Sequence, residues 1–186
     1  YKELMQHLST RIRPEGGALE SIIQKWISAM QSSIARQNDL KPGDPTLVDA
    51  VSTGIAEVLS ELSEMAYGFA FATVIDAYWR GMKTGDDGLK QASLRWIRGE
   101  YANKTEARRD LPVDSIIDDQ NWYEFLKLFA LFVYKAGYKG LLVFLDEGVN
   151  LYKITHKQAR DSNYEKVLTI FNDTMQGKAR YIGVFM

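Results

Sequence analysis

Between Gly137 and Asp146 the chain changes its hydrophobic period, and this change limits its fold more than any other feature. Upstream, apolar residues recur at helical spacing. At Leu141 the pattern becomes "LLVFL", a continuous apolar run of strand length between a glycine turn and two adjacent carboxylates, Asp146 and Glu147. Such a run suits a strand buried on both faces of a parallel sheet. A second run, "YIGVF", ends the chain. Between the two, Gly148 to Asp161 reads as a loop, Ser162 to Glu165 as a capping box, Val167, Leu168, Phe171 and Met175 as an inward helical face, and Gly177 as a stop. Strand, helix and strand of these lengths form a right-handed crossover. Its ligand edge is the carboxyl end of the strands, where Asp146 and Glu147 lie.

The rest of the chain reads as successive helices. After "RPEGG", Leu19, Ile22, Ile23, Trp26, Ile27, Met30 and Ile34 share one face. Asp44 and Pro45 open a second helix, with Leu47, Val48, Val51, Ile55, Val58, Leu59 and Leu62 at the same spacing. Met65 to Trp79 is apolar nearly all round, which predicts enclosure by other helices or by a partner, with a break at Gly68. Asp86 or Asp87 starts a helix whose inner face carries Leu89, Ala92, Trp96 and Ile97. "YANKTEARRDLPV" reads as a polar connector. From "DDQN" a helix runs through Trp122, Phe125, Leu126, Phe129, Phe132 and Val133 to a stop at Gly137. The boundaries follow: a helical segment over 1–112, then a helix and a strand–helix–strand unit over 113–186.

Composition narrows the function classes. With 186 residues, 46% of them apolar, the chain can bury a core of its own. The net charge is −1, so no global field announces a nucleic-acid partner, and any such contact must be local. With no cysteine there is no disulfide, thiolate metal site or cysteine nucleophile. His7 and His156 are too far apart in sequence to suggest a histidine-rich metal site. No apolar run reaches the ~20 residues that span a bilayer, and the expected compartment is the cytoplasm. The start at Tyr1 and the apolar end "RYIGVFM" lead us to read the chain as part of a longer protein.

A hydrophobic strand ending in Asp-Glu is the form of a Walker B element. There the strand-end aspartate holds, through water, the Mg²⁺ that bridges the terminal phosphates of ATP, and the following glutamate polarises the attacking water. On this reading Asp146 is the metal and cofactor residue and Glu147 the catalytic base. Acids ending a buried strand are as readily solvated or used as helix caps, so the pair alone leaves both readings open. The partner motif, G-x-x-x-x-G-K-S/T, is not in the sequence; its one Gly-Lys, Gly177-Lys178, is followed by Ala179.

The chain resembles the ATP-binding P-loop proteins encoded in bacterial phage-defence BREX gene clusters. The resemblance lies in "YKELMQHLSTRIRPEGGALESI", "LRWIRGEYANKTEARRDLPVDSIIDD", "GYKGLLVFLDEGVNLYKITHKQARDSNYEKVLTIFND" and "GKARYIGVFM". It implies an α/β fold: part of an AAA+-like P-loop ATPase, predominantly helical with a small parallel sheet made of the Walker B and sensor strands. It also implies that the phosphate loop precedes the segment and that Asp146 and Glu147 are the Walker B residues. ATP and Mg²⁺ are the cofactors implied, and other defence-system proteins the partners. DNA is suggested by the system without support from the charge. A strand pair deprived of its neighbours is also expected to let copies associate through its edge or through the Met65 to Trp79 surface. The other reading is a helical docking or regulatory module of a degenerate nucleotide-binding protein.

Lesser candidates are Lys153, His156, Lys157 and Arg160, as phosphate or DNA contacts or a solvated face; Arg108 and Arg109, as an arginine finger or ordinary surface; and Asn150 and Asn172, as nucleotide contacts or caps. The aromatic stripe from Trp122 to Tyr134 is expected in the core.

Overall fold

Leu19, Ile22, Ile23, Trp26 and Ile27 are buried along one side of a helix, as their spacing requires. In the computed structural model, which describes residues 1–41, 44–146 and 148–185, this helix is the second of eight. They are α1 (Lys2–Gln6), α2 (Leu19–Gln37), α3 (Pro45–Ser63), α4 (Gly68–Thr84), α5 (Asp87–Ile97), α6 (Lys104–Asp110), α7 (Trp122–Lys135) and α8 (Lys157–Met175). Strands β1 (Leu141–Phe144) and β2 (Ile182–Phe185) flank α8, and a 3-10 helix covers Gly148–Lys153.

The helix ends follow local chemistry. Asp44 caps α3 by accepting from the Thr46 amide at 2.9 Å, with Pro45 at the first position. Asp86 accepts from the Leu89 amide at 3.0 Å to start α5. α7 ends in a Schellman pair: Gly137 N–H to the Tyr134 carbonyl and Tyr138 N–H to the Val133 carbonyl. The polar connector of the sequence reading is in part a helix. Asn103 caps α6 through the Glu106 amide, and Glu106 reaches back to the Ala102 amide, so an Asn-x-x-Glu start was present in "NKTE". Glu106 and Asp110 then anchor α6 to Arg95 of α5.

α2, α3, α4, α5 and α7 enclose the core. The aromatic stripe of α7 lies inside it, as expected: Phe125, Phe129 and Phe132 are fully buried. Phe132 meets Trp26 edge-on at 5.1 Å and Phe125 meets Trp96 edge-on at 5.2 Å. α4 is mostly enclosed by its neighbours; Phe69, 75% exposed, is the large apolar residue it leaves outside. No helix among the described residues is long and apolar enough to cross a membrane.

β1 and β2 pair in parallel, Leu141 with Ile182 through Phe144 with Phe185. Burial on both faces is not observed. Leu141 and Val143 face the core, but Leu142 is 63% and Phe144 73% exposed. The reason is that α7 covers one face of this two-stranded sheet, and no described residue covers the other. α8 departs from expectation in the same way. It begins at Lys157, so Ser162 to Glu165 lie inside the helix and do not cap it. Of its apolar residues Ile170 is buried, whereas Leu168, Phe171 and Met175 are exposed. The 3-10 helix and the first turn of α8 occupy part of the expected loop.

With so little apolar contact, α8 is held largely by charge. Lys127 of α7, 12% exposed at its side chain, bonds Asp173 of α8 at 3.0 Å and Glu124 at 2.8 Å. Burial pulls the Lys127 pKa down, but the hydrogen bonds to Glu124 and Asp173 outweigh it and hold it above the ordinary lysine value. The Tyr123 ring lies 4.8 Å from the ammonium, and burial, then the charges of Asp173 and Glu124, push its hydroxyl pKa up to about 12. Lys127→Ala leaves two carboxylates facing each other. The expected cost is about 2 kcal/mol, below the ~3–5 kcal/mol of a fully buried pair. Hydrogen exchange should rise across 157–175 and stay protected in α4 and α5; unchanged protection of α8 would disprove the clamp.

Candidate functional site

The parallel ladder carries the chain to the edge where a ligand is expected. Beyond β1, Leu145 N–H still donates to the Phe185 carbonyl at 2.8 Å, and the Phe144 and Phe185 rings stack at 5.2 Å. Asp146, the next residue, is in a turn and exposed. The strand pair thus places Asp146 at its carboxyl end. Glu147 lies outside the described residues.

After Asp146 the 3-10 helix leads the chain to the amino end of α8, which starts on the same edge. His156 occupies the N-cap position, its Nδ1 accepting from the Ala159 amide at 3.4 Å, and Arg160 donates to the Ile154 carbonyl at 3.2 Å. Arg160 therefore braces the turn. Lys153, His156 and Lys157 are exposed near this helix start, whose partial positive charge favours anions. The notch alongside, about 620 Å³, is lined by Asp161 and Glu165 as well as His156 and Lys157. Its charges offset one another, which does not suit a triphosphate.

The remaining candidates separate from this edge. Asn172 is exposed near the carboxyl end of α8, at the opposite end of the strands. Asn150 belongs to the 3-10 helix on the Asp146 side; its side chain lies outside what the structure describes. Arg108 and Arg109 are exposed on α6, which packs on α5 and not on the strand pair. Arg108 there lines a cleft of about 380 Å³ with Phe69, Thr73, Pro112 and Asp114.

Gly177-Lys178 is not a phosphate loop. Gly177, at φ +69°, terminates α8, and the Lys178 amide bonds the Asp173 carbonyl at 2.8 Å, so these N–H groups serve the helix's own carbonyls. Among the described residues no three His, Cys, Asp or Glu side chains converge on a metal position. A single exposed carboxylate does fit Mg²⁺ bound with nucleotide, because that ion keeps several waters and takes phosphate oxygens alongside one or two carboxylates.

A family model described as BREX system ATP-binding protein BrxC/D matches residues 1–186. No curated protein and no solved structure matches the chain.

Proposed function

Because the chain belongs to the BREX system ATP-binding protein BrxC/D family, we propose that it supplies the Walker B edge of a Mg²⁺-dependent ATPase in phage defence. Asp146 holds the hydrated Mg²⁺ of bound ATP, and Glu147 orients and polarises the attacking water. β1 is the Walker B strand and β2 the neighbouring strand that leads to the phosphate-sensing residue. Residues 1–112 are a helical insertion, and 113–186 belong to an AAA+-like core. The phosphate cradle comes from another part of the protein, since this sequence holds no G-x-x-x-x-G-K-S/T. When bound, Mg²⁺ would neutralise charge on the terminal phosphates; the chain's own part is to present Asp146 at the end of a hydrogen-bonded strand.

One observation carries the reading: within this ATP-binding family, an apolar parallel strand ends on an exposed aspartate. The uncovered sheet face of Leu142, Phe144 and Phe185 supports it, because such a face belongs beneath a further layer. A second reading, docking by a degenerate nucleotide-binding protein, is favoured by the exposed stripe Tyr164, Leu168, Phe171 and Met175 on α8.

The test uses both the chain and the full-length protein. The purified chain is expected to show no ATP turnover, because catalysis here is positioning and electrostatics and half of the cradle is missing. In the full-length protein, Asp146→Asn should weaken Mg²⁺-dependent nucleotide binding about tenfold or more, measured with a fluorescent ATP analogue with and without EDTA. Turnover by the chain alone, lost in Asp146→Ala, would refute the division of labour. Unaltered Mg²⁺-nucleotide binding in Asp146→Asn would favour the docking reading.

A further inference from the structure

We propose that the edge where the two strands begin, opposite Asp146, binds the phosphodiester backbone of a nucleic acid. Lys139 and Arg180 each stand two residues ahead of the paired strands, which begin at Leu141 and Ile182. Gly140 permits the two segments to approach, since a Cβ there would stand 2.6 Å from the Tyr181 carbonyl oxygen. Lys178 follows the stop of α8 at the same edge. From α2, Lys25 places its Nζ 3.9 Å above the Tyr138 ring, next to Lys139 in the chain. The Arg180 guanidinium lies 6.0 Å from the Tyr181 ring, which stacks on Tyr134 at 3.7 Å and 11°.

Lys25, Lys139, Lys178 and Arg180 are exposed, and among the described residues none has a carboxylate within ion-pair distance. Lys135 is the cation here that is neutralised, by Glu61 of α3. The segments that lead into and form the strands carry no acid: neither 125–145 nor 174–186 contains Asp or Glu. The carboxyl ends of α7 and α8 also face this edge and attract cations, but each carries only about half a negative charge. Two helix ends account for one of the four cations, not for all of them.

The chemistry selects the partner. Point cations spaced along an edge and interleaved with tyrosine rings suit a strand of phosphates whose bases can lie against aromatic faces. A bilayer would need apolar groups beside the cations, and here the exposed apolar side chains Leu142, Phe144 and Phe185 lie on the sheet face instead. The net charge of −1 conceals this surface because the chain's 24 Asp and Glu offset its 23 Lys and Arg as a whole, and Glu61 of α3 pairs with Lys135.

Fluorescence anisotropy with a labelled mixed-sequence single strand of about 20 nucleotides tests the proposal on the chain without ATP. Affinity should fall roughly 20- to 50-fold from about 50 to about 200 mM salt, the dependence expected for three or four released counterions. The double variant Lys139→Glu, Arg180→Glu should bind at least about tenfold more weakly at low salt and flatten the slope. Lys104→Glu, Arg109→Glu on α6 should match the parent. If the first pair fails to fold by circular dichroism, Lys25→Glu, Lys178→Glu must show the same loss. Equal losses from the edge and α6 pairs, or no loss from the edge pair, would overturn the proposal. Tighter binding of labelled polyglutamate or of phosphatidylserine vesicles would do so as well, by assigning the edge to an acidic protein or a membrane.

Discussion

Glu147→Gln in the full-length protein is expected to cut ATP hydrolysis by ~10²–10⁴-fold, the loss typical of a removed general base, while nucleotide binding stays within a few-fold of the parent. The two adjacent carboxylates have different parts in the proposed reaction. Asp146 is the first residue beyond the β1 ladder; in the proposed reaction it would hold the cation that the phosphates bring, and its loss would be felt in binding. Glu147 follows it in sequence and in the proposed reaction would act on water, so glutamine, which keeps the shape and removes the proton acceptor, would be felt in turnover. Single-turnover hydrolysis alongside equilibrium nucleotide binding separates the two. Small, equal effects from Glu147→Gln and Asp146→Asn would mean that the pair only solvates or caps the strand end.

Gly68→Ala should be the most damaging small substitution in the helical body. Tyr67, held at φ +61°, turns the chain from α3 into α4, and Gly68 enters the new helix directly against the old one. A Cβ at Gly68 would stand 1.8 Å from the Leu62 carbonyl oxygen and 2.9 Å from Ser63 Cα. Both atoms are backbone, so no rotamer change relieves the clash, and the α3–α4 crossing must open. We expect a loss of about 3 kcal/mol or more, read as a lower urea midpoint at unchanged slope. Gly137→Ala is the comparison: its φ is +85° but no atom lies within 4 Å of the added Cβ, so only the conformational cost of about 1 kcal/mol applies. Equal effects at the two positions would show that space at Gly68 is not the cause.

Much of this fold can be read locally because the relevant forces are local. The cap at Asp44, the break at Gly68 and the stops at Gly137 and Gly177 depend on groups within a few residues, and the structure has each of them. α6 was equally local in origin, and its Asn103–Glu106 start was hidden only because the segment is short and polar. The faces of α2, α3 and α7 were legible for a different reason. Their stripes are wide, and five helices in one chain are enough to cover them. Of the candidate site, the position alone was legible: a strand followed by Asp146 at its carboxyl edge.

What the sequence determined by itself, then, is where most of the helices and both strands lie, though not the start of α8 or the presence of α6, which face of each wants burial, and that a carboxylate pair follows β1. Tertiary structure alone decided which of those faces are covered. Leu142, Phe144, Leu168, Phe171 and Met175 carry the same apolar signal as the core residues, yet they stay exposed. Burial requires a second surface, and α7 supplies one for a single face of the sheet. Tertiary structure likewise gathered Lys25, Lys139, Lys178 and Arg180 at one edge, since register and helix placement bring together charges that the net charge averages away.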